Sequence, residues 1–236
     1  MKVIAVMATC GRHYLCERSV GMFLDQTYPD KHLLIIQNSD VSQTLDKQYD
    51  NITLINKTGF SCVGDIYMYA REHIANDTDA FCVYDDDDIY QRDHIEQGVA
   101  GLKRGGLKAY KPEYSYFKHG DNKVTKIKNV LEPSWFVKYD VIKEQGFNLA
   151  HASSHLKWIN WCLHNKQVFE DPKGPATFTY TWGNPERPTS KTTGLADKPE
   201  SFSIHRERSQ DHGDQIITPW TPEQLASVYL AGKDLA

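Results

Sequence analysis

Four short apolar runs, separated by stretches with helical periodicity, constrain this chain more than any other feature. Val3 to Met7, Leu33 to Ile36, Ile52 to Ile55 and Ala80 to Tyr84 are nearly continuous in apolar residues. That is the pattern of strands buried on both faces of a parallel sheet. Tyr14 to Leu24 carries apolar residues at Leu15, Val20, Phe23 and Leu24, and Cys62 to Ile74 carries them at Val63, Ile66, Tyr67 and Ala70. Both spacings predict helices. Pro29 stops the first segment, and a glycine turn around Gly59 precedes the second. Strands alternating with helices in this way imply right-handed crossovers and a mostly parallel sheet with helices on both faces. Ligands of such sheets bind outside the carboxyl ends of the strands. Thr9 and Arg12, Asn38 and Asp40, Lys57, and Asp85 to Asp88 all fall at such ends. Polar residues from four strand ends therefore converge on one crevice.

The rest of the chain reads as a smaller, mixed β region. Ala109–Phe117 and Trp135–Tyr139 are short, aromatic and β-prone, with turns at Gly106 and Gly120-Asp121. Ser153-Ser154 is placed to cap a helix from His155 to Leu163. Pro172 to Pro199 is rich in Pro, Gly, Thr and Lys and predicts a loop or lid. Thr221-Pro222-Glu223 opens a last amphipathic helix ending near Gly232. With 236 residues and no internal repeat, the expectation is a single domain, with a half at 1–100, a half at 101–236 and a mobile loop near 185–215.

Charge and cysteine usage narrow the function classes. Lys+Arg 27 against Asp+Glu 31 gives a net charge of −4, which argues against a strongly basic nucleic-acid binder. The charges are unevenly spread. Asp77 to Glu96 holds eight acids against one Arg, whereas Lys103 to Lys128 holds eight Lys/Arg against two acids. The five cysteines are scattered, with no CxxC pair, so neither a zinc site nor a disulfide framework is expected. Free thiols suit a reducing cytoplasm. No apolar run approaches the roughly 20 residues of a membrane span, so the expectation is a soluble, cytoplasmic protein.

The four adjacent aspartates Asp85 to Asp88 directly follow an apolar strand and precede Ile89-Tyr90. Like charges at contact distance repel, and burial adds a penalty unless a cation compensates. A solvated acidic turn is the alternative. Mg²⁺ or Mn²⁺, taking one or two carboxylates plus phosphate oxygens of a substrate, resolves the conflict.

These residues carry a resemblance. Val83-Tyr84-Asp85-Asp86-Asp87-Asp88 resembles the DxD motif of family 2 glycosyltransferases with a GT-A fold. The first strand with Thr9 and Arg12 resembles that family's nucleotide-binding turn. Ser19-Val20 and Phe23 through Pro29 are similar to its first helix and the Gln-Thr-Tyr-Pro after it. Leu33–Ile36 running to Asp40 resembles its base- or ribose-binding strand. Asp65 stands where the family usually has Asn after a Gly-rich turn. The match covers about residues 1–95.

The resemblance implies a GT-A (Rossmann-like) fold and metal-dependent transfer of a sugar from a nucleotide-diphosphate donor, a UDP-sugar first among them, with Mn²⁺ or Mg²⁺ as cofactor. It implies that Asp87 ligates the metal, that Asp85 reaches metal or ribose, and that Asp86 supports them; Asp86-x-Asp88 is an equally legal register. Thr9, Arg12, Asp40 and Asp65 would bind the nucleotide. An inverting member needs a base ahead of a Trp in the second half. The family's carboxylate is absent there, and His155 stands near its place, with His151 and Asp140 behind it. His205, or else His212, would be a third metal ligand. The lysines and tyrosines between Lys103 and Lys128 suit an anionic acceptor, whether a glycan, a lipid-linked saccharide or a nucleic acid with modified bases. A nucleotidyltransferase of similar fold and a non-catalytic sugar- or nucleic-acid-binding module are the rival classes.

Overall fold

The computed structural model describes residues 1–118, 124–129, 131–150 and 153–181. Strand β1 (Val3–Thr9) is an interior strand of a seven-stranded sheet. It pairs in parallel with β2 (Lys31–Gln37), which pairs in parallel with β3 (Ile52–Asn56). On its other side lies β4 (Ala80–Val83), also parallel. Beyond β4 come β9 (Phe136–Lys138), antiparallel, then β6 (Ala109–Pro112) and β10 (Val168–Asp171).

Two apolar clusters cover the two faces of this sheet, and β1 contributes to both by strict alternation. Val3, Ala5 and Met7 face α1 (His13–Leu24) and α3 (His94–Gly105), through Cys16, Val20, Phe23, Ile95, Val99 and Leu102. Ile4 and Val6 face α2 (Val63–Glu72), α4 (Tyr139–Gln145) and α5 (Leu156–His164), through Ile66, Tyr67, Val141, Ile142, Trp158 and Ile159. Burial on both faces explains why the strand is apolar throughout instead of alternating.

The smaller sheet has four strands, in the order β5 (Ile89–Tyr90), β11 (Phe178–Thr181), β7 (Tyr114–Lys118) and β8 (Val124–Lys128). Only β11 and β7 pair in parallel. The α/β architecture expected from the strand and helix alternation is present, including the mixed β region of the second half.

Several details differ from the sequence reading. Helix α3 was not anticipated. Tyr139 opens α4 instead of ending a strand. Strand β11 interrupts the loop expected over 172–199, because Phe178 is fully buried against the rings of Tyr90 and His94. Helix α5 takes His155, not a serine, as its N-cap, without a side-chain capping bond. His151, His205, His212, the expected loop near 185–215 and the helix at 221–232 lie outside the described residues.

Candidate functional site

The aspartate turn sits where the sheet register puts it. Val6 pairs with Val83, so two strands in step bring Thr9 level with Asp86 at the carboxyl edge. The Thr9 hydroxyl donates to Asp86 Oδ2 at 2.6 Å. Asp86 is completely buried. On the other side of β1, Gln37 ends β2, and its Oε1 accepts the N–H of Gly11 at 3.2 Å. Gly11 has φ +64, and a Cβ there would lie 3.3 Å from Ser39 Oγ, so the loop after β1 packs closely on the loop after β2.

Two arginines serve the turn in different ways. Arg12, just before α1, places Nη1 2.8 Å from Asp87 Oδ2 and Nη2 against Asp86 Oδ1. Arg18, one turn into α1 and 5% exposed, donates from Nη2 to the backbone carbonyls of Asp86 (3.1 Å) and Asp88 (3.2 Å). The neighbouring Ser19 hydroxyl donates to the Asp86 carbonyl at 2.9 Å. In the sequence the only sign that Arg18 faces inward is its spacing, three residues after Leu15 and four before Met22 on one stripe of α1. From the second sheet, the Thr181 N–H donates to Asp88 Oδ1 at 2.8 Å.

Asp85 meets a tyrosine layer. Its own N–H donates to Tyr90 Oη at 2.7 Å, and the Tyr67 hydroxyl donates to its Oδ1 at 3.3 Å. The Tyr90 ring stacks on Tyr84 with centroids 3.8 Å apart. Burial first, then the neighbouring carboxylates, push the Asp85 pKa up to about 7, against the lowering effect of Arg12 and Tyr67. Burial is also the main reason the Asp86 pKa rises to about 6. Carboxylates with raised proton affinity are short of positive charge.

That shortage tests the fit of a divalent cation. Among the described residues no group of three or more His, Cys, Asp or Glu is arranged to hold a metal ion. Asp85 and Asp87 supply two carboxylates, which suits an ion that draws its remaining ligands from water and a substrate diphosphate. The donor set fits on those terms.

The other sequence-predicted residues divide. Asp40 follows β2 and is exposed. Asp65 caps α2, accepting the N–H groups of Ser61 (3.0 Å) and Cys62 (3.1 Å) with one oxygen, so its visible work is on the helix end. His155 lies edge-on to Tyr67, centroids 4.6 Å apart, and also against Phe147. Its Nδ1 is buried without a hydrogen-bond partner, and burial lowers its pKa to about 3. It is therefore neutral at neutral pH and a weak base in the free protein. Asp140 is taken by Lys108 and by the N–H of Val141.

The basic stretch is smaller than its composition suggests. Arg104 pairs with Asp171, Lys108 with Asp140, and Lys111 with Glu170. Lys118, Lys126 and Lys128 lie on the β7–β8 pair, with Lys126 Nζ 4.6 Å above the Tyr114 ring. Among the described residues no helix is long and apolar enough to cross a membrane.

The sequence matches no protein-family model and no curated protein. Its fold does match solved structures. Superposed on S. aureus TarS 1–349 in complex with UDP-GlcNAc, it gives a TM-score of 0.62 at 13% identity, over 100% of this chain and 80% of that one. The mannosyltransferase PcManGT from Pyrobaculum calidifontis, in complex with GDP-Man and Mn²⁺, gives 0.58 at 12% identity, over 99% of this chain and 73% of that one. At such identities the likeness is one of fold. The large, mostly parallel sheet with a smaller second sheet is the GT-A architecture that these neighbours share.

Proposed function

We propose that this chain is a metal-dependent glycosyltransferase of the family 2 type, moving a hexosyl or related group from a nucleoside diphosphate sugar to an acceptor hydroxyl with inversion. The observation that carries the reading is the aspartate turn. At the carboxyl end of β4, Thr9 and Arg12 hold the carboxylates of Asp86 and Asp87 while Arg18 and Ser19 hold the turn's backbone carbonyls, and the proton affinities of Asp85 and Asp86 are raised as a cation-seeking cluster requires. The fold supports the reading, since solved examples carry UDP-GlcNAc or GDP-Man with Mn²⁺.

In this reading residues 1–100 bind the donor, with Thr9, Arg12, Asp40 and Asp65 toward the nucleotide. Asp87 and Asp85 serve as the DxD ligands, with Asp86 behind them and His205 as a further ligand. A bound Mn²⁺ or Mg²⁺ supplies neutralisation of the charge that develops on the leaving diphosphate. The bond from the sugar's anomeric carbon to the diphosphate breaks as the acceptor oxygen attacks from the opposite face. The acceptor proton passes to His155, whose basicity, lowered by burial in the free protein, has to be restored by the negative charge of the bound donor. The half at 101–236 receives the acceptor, and Lys118, Lys126 and Lys128 favour an anionic one, such as a phosphorylated glycan, a lipid-linked saccharide or a nucleic acid. The five free cysteines favour a reducing, cytoplasmic setting.

Donor hydrolysis tests the class. Incubation with UDP- and GDP-sugars and Mn²⁺ should release a nucleoside diphosphate, and chelation or Asp87→Asn should abolish the release. Pyrophosphate instead would indicate a nucleotidyltransferase, and no release with intact nucleotide binding would indicate a binding module.

A further inference from the structure

The two arginines at the aspartate turn touch chemically different atoms. Arg18 holds the backbone carbonyls of Asp86 and Asp88, and together with Ser19, Thr9 and the Thr181 N–H it fixes the path of the turn. Arg12 instead spans the carboxylates, Nη1 on Asp87 Oδ2 at 2.8 Å and Nη2 on Asp86 Oδ1. Its side chain is 13% exposed and stems from the non-helical residue ahead of α1, with φ −105 and ψ 60. One arginine belongs to the frame. The other sits on oxygens of the kind a divalent ion takes.

We propose that Arg12, which bridges Asp86 and Asp87, is an internal counter-ion that competes with the divalent cation for the Asp87 carboxylate and transfers to the donor's diphosphate when the cation binds. The inference rests on the metal-dependent reading above. A carboxylate oxygen that receives a hard cation at about 2 Å loses its place for a guanidinium N–H. The two positive charges also repel at such separations. A diphosphate accepts a bidentate guanidinium as well as two carboxylates do. Because Arg18 and Ser19 hold the turn through its backbone, Arg12 leaves without collapsing it. Ion and nucleotide therefore bind cooperatively: the nucleotide gives Arg12 a new partner and frees the carboxylates, and by linkage each ligand tightens the other equally.

The test is Mn²⁺ binding, read as the loss of free-ion electron paramagnetic resonance signal, for wild type and Arg12→Ala with and without UDP or GDP. Without nucleotide, Arg12→Ala should bind Mn²⁺ about tenfold more tightly than wild type, within the usual range of coupling between two ligands. Adding nucleotide should strengthen Mn²⁺ binding in wild type and do so far less in the variant. Arg12→Lys keeps the charge but loses the two-pronged contact, so it should fall between them, and it carries the comparison if the alanine variant does not fold. Equal or weaker Mn²⁺ binding by Arg12→Ala in the absence of nucleotide overturns the proposal. If wild type takes up no Mn²⁺ even with nucleotide, the metal-dependent reading itself falls, which separates the two failures.

Discussion

Removing Arg18 tests whether the aspartate turn is built from α1. The Arg18→Ala variant deletes a 5% exposed guanidinium whose Nη2 bridges the carbonyls of Asp86 and Asp88 at 3.1 and 3.2 Å. A hydrogen bond from a charged donor contributes about 1.5–3 kcal/mol, and two carbonyls sharing one nitrogen count for less than twice that. The guanidinium also lowers the pKa of the fully buried Asp86, so its loss leaves that carboxylate less compensated. The expected cost is about 3 kcal/mol, a large part of a net stability of about 5–15 kcal/mol. Urea unfolding in chelator should show it as a lower midpoint at unchanged slope. Arg18→Met, which keeps much of the apolar stem, should lose nearly as much, because the bonds and not the packing are at stake. A loss below about 1 kcal/mol, the range of exposed ion pairs, would refute the idea that α1 frames the turn.

Other predictions follow from the same geometry. Asp85 and Asp86 hold protons more strongly in the folded than in the unfolded state, so their contribution is full below the ordinary carboxylate pKa of 3.8 and is lost as pH rises through about 6 to 7. Stabilisation by Mn²⁺ should therefore grow between about pH 5 and about pH 8 in thermal melts, and a flat profile would contradict the raised proton affinities. His94 and His155 act in the opposite sense. Burial lowers both to about 3, so stability present above their ordinary 6.5 is lost as pH falls toward 3, and His155→Phe should soften that acid limb. Replacing His155 by Gln should lower turnover by at least about 100-fold with nucleotide affinity retained, as loss of a general base does; unchanged turnover removes it from the chemistry. Gly98→Val should cost about 1–3 kcal/mol by overpacking, because a Cβ there would lie 2.3 Å from the Phe136 ring.

The parts of the fold that were legible in the sequence are those with one dominant physical cause. Strands β1, β2 and β4 are buried on both faces and so read as unbroken apolar runs. Helix α3 was hidden by its own packing. Gly98 and Gly101 lower its helix propensity, yet they let Phe136 and Tyr110 pack directly on its backbone. Its last turn, Lys103-Arg104, read as the start of a basic stretch instead of as favourable charge at a helix end. Asp65 closes a capping box with Cys62, but Cys and Asp are not the Ser/Thr and Glu/Gln that mark such a box in a sequence. The partners of the basic residues were not readable. Arg12 with Asp87 and Arg104 with Asp171 are separated by 75 and 67 residues, and only the sheet register joins them.

The central claim is that the aspartate turn binds a divalent cation together with a nucleoside diphosphate sugar. The most direct measurement is Mn²⁺-dependent release of UDP or GDP from the corresponding sugar nucleotides, by wild type and by Asp87→Asn. The account predicts release by wild type that disappears with chelator and in the variant, while the variant remains folded. Equal release with and without Mn²⁺, or full release by Asp87→Asn, would contradict it.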